Sequence, residues 1–275
     1  MRVYISADIE GVAGVVSLHQ LIPGEFEYER ARDWMTAEVD AACQAAFRSG
    51  AEEVVVSDSH GNGENIKLEK LSGNIRLIRS WPRPLLMMQG IERGSFDAAA
   101  FIGYHAGGHS GNGVLSHTMS SGKLRSIRFN GELVSEFDMN LMLAAEFGVP
   151  VIMGSGDNVL AEDVVRRYPA VEFATTKWTD GSLWAETMTL EASCALISEK
   201  MTKAIAGTKH ATLPTPSGPI TVEVDFTRKI IAEVFSYMPN IRRSSPFTVE
   251  AEFPDMTTTM RFLAFVLFGL NPFHT

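Results

Sequence analysis

The apolar run from Val3 to Ala7 ends in Asp8 and Glu10, two carboxylates two positions apart. In an extended chain successive side chains alternate faces, so Asp8 and Glu10 are predicted to point one way while Ile5, Ala7 and Ile9 point the other. Two hard oxygen donors leaving one strand end together make the beginning of a cation site. The arrangement recurs: Val54, Val55, Val56 and Ser57 run into Asp58 and His60, again two apart, and Ala98 to Tyr104 runs into His105 beside Gly103, Gly107 and Gly108. In open α/β sheets ligands bind outside the carboxyl ends of the strands, so donors lying roughly fifty positions apart would converge on one rim.

Carboxylates mixed with imidazoles suit zinc or another divalent transition metal, whereas an all-oxygen set would suit magnesium or calcium. One catalytic zinc needs three protein ligands, and the donors here exceed that. Two ions sharing a bridging carboxylate are therefore expected; such a pair, roughly 3.5 to 4 Å apart, activates a water and holds a developing oxyanion, which is hydrolase chemistry. Taken singly, each residue has a plainer reading. Asp after a strand is a common turn residue, Ser57 to Gly61 could be a helix-capping turn, and His105 could be a satisfied core histidine. The joint pattern favours the metal.

His117 lies in the loop Gly111 to Gly122, which has neither helical nor strand period. A histidine there can titrate near neutral pH and act as general base or nucleophile. Asp58 is expected to accept the outer N–H of a bound imidazole or to cap a helix. Asp157 and Asn158 are expected to do likewise, to hold a substrate amine, or to cap the helix that follows. His109 reads as a surface or substrate-adjacent residue, and His19, His210 and His274 have no comparable setting. Trp34, Trp81, Trp178 and Trp184 read as core or interface residues.

The elements that must position these side chains follow from the pattern. Ala31, Trp34, Met35, Val39, Ala42, Cys43, Ala46 and Phe47 recur at helical spacing between Tyr28 and Ser49, and Gly50 stands where that helix ends. The first strand, this helix and the Val54 strand make a βαβ unit. A further strand is predicted at Ile75 to Arg79, before Pro82 and Pro84. Leu124 to Phe129 and Leu133 to Ser135 flank Asn130-Gly131, the dipeptide suited to a type I′ hairpin. A helix is predicted from Phe137 to Phe147, and the strand Val149 to Met153 closes on Gly154 to Asn158 as a fourth turn at the same rim. Thr212 to Pro219 reads as a proline-rich connector. Beyond it come a strand at Ile220 to Phe226, a helix at Arg228 to Tyr237, a strand at Phe247 to Phe253 and a helix at Met256 to Leu270.

The fold class is thus α/β, a doubly wound and mainly parallel sheet with a smaller C-terminal α+β lobe. Residues 1–205 are read as the metal-binding catalytic domain and 206–275 as the small lobe, for packing or oligomerisation. The chain of 275 residues is long enough for this, and 45% apolar with 21% charged residues excludes disorder. A net charge of −9 argues against a nucleic-acid partner. Carboxylates at positions 8 and 10 are incompatible with a signal peptide, and the apolar run Phe262 to Leu270 is too short to span a bilayer, so no membrane partner is expected. Cys43 and Cys194 do not make a disulfide framework, which points to a reducing cytoplasm.

Ser6-x-Asp8-x-Glu10-Gly11, Asp58-Ser59-His60, Gly103-Tyr104-His105-Ala106, Ser116-His117-Thr118-Met119 and Gly154-x-Gly156-Asp157 together resemble the M55 peptidase family, the zinc-dependent D-aminopeptidases. The resemblance covers nearly the whole chain; any one motif is weak, but all of them in order are specific. It implies two zinc ions per subunit, with Asp8 bridging them, Glu10 and His60 completing one site and His105 and Glu136 the other. Glu132 competes with Glu136 for the last place; Glu136 is preferred because it heads the helix containing Asn140. The catalytic histidine would be His117. The implied activity is hydrolysis of the N-terminal residue from short peptides or amino-acid amides, D-amino-acid peptides above all. The implied assembly is a homo-oligomeric ring of ten subunits with the sites inside. The rivals are a two-metal phosphoesterase, against which stands the lack of its Asp-x-His opening and of an arginine cluster, and a non-catalytic ring-forming assembly protein.

Overall fold

In the computed structural model, residues 1–208 and 218–269 are described. His210, His274, Leu270 and positions 212–217 of the expected connector lie outside them.

The main sheet contains β1 (Arg2–Ala7), β2 (Glu53–Asp58), β3 (Ile75–Ile78), β4 (Ala98–Ile102), β7 (Val151–Asp157), β8 (Glu172–Trp178) and β9 (Glu186–Thr187), in the order β3-β2-β1-β4-β7-β8-β9. All pairings are parallel except that of β8 with β9. Strict alternation explains the layering. Val3, Ile5, Val54, Val56, Ala98 and Ala100 face one core, completed by α1 (Tyr28–Arg48) and α4 (Leu190–Gly207). Tyr4, Val55, Ala99 and Phe101 face the other, where α2 (Glu136–Glu146) and α6 (Met256–Phe268) pack. Small alanines in β4 let both layers approach the sheet closely.

A second, antiparallel sheet has the order β11-β12-β10-β5-β6. Its strands are β5 (Leu124–Phe129), β6 (Glu132–Leu133), β10 (Ile220–Phe226), β11 (Arg242–Arg243) and β12 (Thr248–Phe253). The expected Asn130-Gly131 hairpin is present, with φ of 51° and 85° at its two central residues. It pairs through β5 with β10, so the sheet draws on residues from both sides of position 206. The mixed α/β architecture agrees with the sequence reading. The sequence reading names α3 (Asn158–Arg167) only through its cap and does not predict β8, β9 or α4.

Strand order reverses between β1 and β4: β2 and β3 extend one way from β1, β4, β7 and β8 the other. That reversal is the crevice in which an open α/β sheet binds its ligand. The loops after β1, β2 and β4 meet there.

Candidate metal centre

β1 ends at Ala7, and the pairing is carried one step further by Asp8 N–H donating to Ile102 O at 2.8 Å. The chain then turns, Val12 N–H bonding Ile9 O at 3.1 Å. Strand alternation therefore does not place Glu10, contrary to expectation; a turn does. The turn is pinned on β4 by Gly11 N–H to Gly103 O at 2.8 Å. A Cβ on Gly11 would lie 1.9 Å from Tyr104 O, so only glycine permits this approach. Lys177, fully buried in β8, holds the same turn from beneath by donating to the carbonyls of Glu10, Val12 and Val15. Burial pushes its ammonium down to about 8. Sequence reasoning missed Lys177; the available signal was one lysine in the otherwise uncharged stretch Phe173 to Trp178.

Asp8, Glu10 and His60 form one ligand-capable trio, and His105, His117 and Glu136 another, the donor atoms of each lying within 4.8 Å of one another. Asp8 stands between them. Its Oδ1 is 3.4 Å from His60 Nδ1 and its Oδ2 is 3.5 Å from His105 Nε2. Glu10 Oε2 lies 3.0 Å from His60 Nδ1, and Glu136 Oε1 lies 3.5 Å from His105 Nε2 and 3.9 Å from His117 Nε2. Asp8, Glu10, His60, His105 and Glu136 are all buried, and His117 is partly exposed. Glu132, the competitor, is exposed on β6.

Each imidazole is oriented by a backbone carbonyl. His60 Nε2 meets Leu21 O at 3.0 Å, His105 Nδ1 meets Ala106 O at 2.9 Å, and His117 Nδ1 meets Leu115 O at 2.9 Å. These bonds commit the outer N–H and leave the inner nitrogen facing the carboxylates, the orientation a metal-bound histidine needs. Asp58 does not serve as that outer acceptor. Its carboxylate accepts Asn65 N–H, Asn65 Nδ2 and Ile66 N–H at 2.6 to 2.8 Å, and Asn65 in turn donates to His60 O at 2.7 Å. Asp58 thus fixes the turn that carries His60. Asp157 caps α3 through Leu160 N–H at 2.9 Å and receives Val114 N–H at 2.8 Å, anchoring the His117 loop. His109 is half-buried away from the cluster, and His19 is exposed beside Glu25.

Burial, and then the charge of Glu10, push the Asp8 carboxyl up to about 7. Burial would raise Glu10 as well, but His60 holds it well below the usual range. Burial opposes the charge on His60, yet Glu10 and Asp8 raise it well above an ordinary imidazole. His105 is lowered by burial and by His117, and Glu136 is raised by burial. A cluster that gathers carboxylates out of water and shares protons with imidazoles is one a cation neutralises.

The donors fit zinc. His105 Nε2 is buried and has no hydrogen-bond partner. It faces Asp8 Oδ2 and Glu136 Oε1 at 3.5 Å each, too far for a hydrogen bond. Ligands about 2.1 Å from a tetrahedral zinc stand about 3.4 Å from one another, which is the spacing seen here.

Carboxylates and imidazoles gathered at the switch point of a doubly wound sheet, with a partly exposed histidine at their edge, define a metallohydrolase. The family model of the M55 peptidases, described as D-aminopeptidase, matches residues 1–265, and the chain belongs to that family. It is 32% identical over 257 residues to a D-aminopeptidase of Bacillus subtilis (strain 168), covering 93% of each chain. Among solved structures it is similar to the Zn-dependent D-aminopeptidase DppA from Bacillus subtilis, described as a self-compartmentalizing protease. The TM-score is 0.91 at 29% identity, over 99% of this chain and 100% of that one.

Proposed function

We propose that this chain is a zinc-dependent D-aminopeptidase that holds two zinc ions and removes the N-terminal residue from short peptides or amino-acid amides. The observation that carries the reading is Asp8, with one carboxylate oxygen toward His60 and the other toward His105. In this reading Asp8 would be the ligand shared by the two ions, Glu10 and His60 would complete one site, and His105 and Glu136 would complete the other. Bound there, the ions would supply a nucleophilic water near neutral pH and polarise the scissile carbonyl. His117 does the proton work: with Nδ1 committed to Leu115 O, its Nε2 faces the cluster, accepts a proton there and returns it to the departing amine.

The self-compartmentalizing description of the DppA structure supports a homo-oligomeric assembly for this chain, and the ring of ten is what the resemblance to the family adds to it. Residues 206–275 are the lobe assigned to subunit packing, and the exposed Tyr237 and Met238 on it suit that role. Among the described residues no helix is long and apolar enough to cross a membrane. With Cys43 and Cys194 both free, a cytoplasmic setting is the one assigned.

The test is a screen of zinc-loaded protein against D- and L-alanine amides, the corresponding dipeptides and a phosphate monoester. Release of D-alanine, lost in His117→Ala, is expected. Phosphate release alone, or no turnover of any peptide or amide, would overturn the assignment.

A further inference from the structure

A cavity of about 250 Å³ adjoins the metal cluster. Glu136 and the two residues flanking His60, Ser59 and Gly61, reach its lining, so it borders the cluster on the side of Glu136 and the His60 turn. Its walls include Trp81, Met87, Met119, Met139, Met260 and Phe268. Trp81, expected in the core or an interface, packs against the core and also lines this cavity. Among the described residues that line it, Lys123 is the one cation and Glu136 the one carboxylate, and Glu136 is already committed to the metal cluster. The Lys123 ammonium is fixed by donating one hydrogen bond to Leu267 O at 2.6 Å, at the end of α6. An ammonium has three protons, so two remain for a ligand.

Resting on the aminopeptidase reading, we propose that this cavity receives the C-terminal residue of a dipeptide, the leaving group of the cleavage, taking its apolar side chain among the methionines and its free carboxylate on Lys123. The chemistry matches on both counts. Unbranched thioether side chains adapt to apolar groups of varied shape, and an ammonium beside an apolar wall recognises a carboxylate by a charge-assisted bond. The volume holds one amino acid, not a long chain. The favoured substrates are therefore dipeptides with an apolar second residue and an unblocked C-terminus, and Lys123 is a specificity-determining residue.

The experiment compares kcat/KM of the zinc-loaded enzyme for D-Ala-D-Leu and for its C-terminal amide, with D-alanine amide as a substrate that leaves the cavity empty. A preference of about tenfold or more for the free carboxylate is expected, the value of one charge-assisted bond. Lys123→Met should erase that preference and Lys123→Arg retain it. A readout independent of turnover is binding of the product D-leucine against D-leucinol, which has neither a carboxylate nor a bond to cleave, by titration calorimetry; D-leucine should bind more tightly, and Lys123→Met should remove the difference. Equal rates for acid and amide in the wild-type enzyme, or an unchanged preference in Lys123→Met, would overturn the proposal, the first without any variant having to fold. Turnover of D-alanine amide with no turnover of either dipeptide would also overturn it while sparing the aminopeptidase reading. Inactivity on all three would instead remove the reading beneath it.

Discussion

The rings of His105 and His117 lie stacked, centroids 4.1 Å apart and planes 11° from parallel, with both Nε2 atoms directed at one oxygen of Glu136. Stacking sets them side by side but in unequal positions: His105 is buried and between two carboxylates, whereas His117 sits at the partly exposed edge. That asymmetry supports the proposed division of roles, His105 as a ligand and His117 as a proton carrier.

His117→Ala should therefore reduce kcat by about 10²- to 10⁴-fold, the usual share of a general acid–base, with zinc content unchanged. His105→Ala should lose activity and zinc together. Metal analysis alongside kinetics checks this; equal zinc loss in both variants would make His117 a ligand.

Gly11→Ala should destabilise the fold by about 3 kcal/mol or more, because its Cβ would meet backbone at 1.9 Å and cannot be accommodated by a side-chain shift. The turn bearing Glu10 would lift from β4, and zinc affinity should fall. Gly111→Ala, where nothing lies within 4 Å, is the control and should match wild type in thermal melting.

Lys177→Met should cost about 2 to 5 kcal/mol, since carbonyls that the ammonium now serves would be left buried without a donor. The loss should also appear as weaker zinc binding in competition with a chelator, because one of those carbonyls belongs to Glu10. Unchanged melting and unchanged zinc affinity would refute the bracing role.

Glu38 on α1 is fully buried, accepts Ala13 N–H at 3.0 Å through one oxygen, and is pushed up to about 7 by burial. A carboxyl raised in the folded state contributes stability that is complete below its unfolded value of 4.5 and is lost as pH rises through about 7. Glu38→Gln removes that loss. Its melting temperature relative to wild type should rise between about pH 5 and about pH 8, with a gain of the order of 1 kcal/mol or more. A difference independent of pH would show that Glu38 titrates normally.

Much of this was legible in the sequence because it is local. An apolar strand that stops on Asp8, or on Asp58 and His60, announces its rim, and Asn130-Gly131 announces its hairpin. Glu136 could be preferred over Glu132 because one heads a helix and the other follows a turn. What escaped depends on contacts between distant segments. Glu10 is placed by the approach of Gly11 to β4, His60 is oriented by Leu21 O, and Lys177 meets the Glu10 turn from a strand more than 160 positions later. The join of the 124–133 hairpin to β10 is of the same kind: nothing in either segment names its partner. Asp58, expected to hold a histidine ring or to cap a helix, instead holds the turn that carries His60, a distinction that side-chain type alone does not draw.

The most direct test of the account is the zinc content of the purified protein after exhaustive dialysis, measured by mass spectrometry beside Asp8→Ala. About two zinc ions per chain in the wild type, and loss of both when the shared carboxylate is removed, is the predicted result. A single ion in the wild type, or a full complement retained in Asp8→Ala, would contradict it.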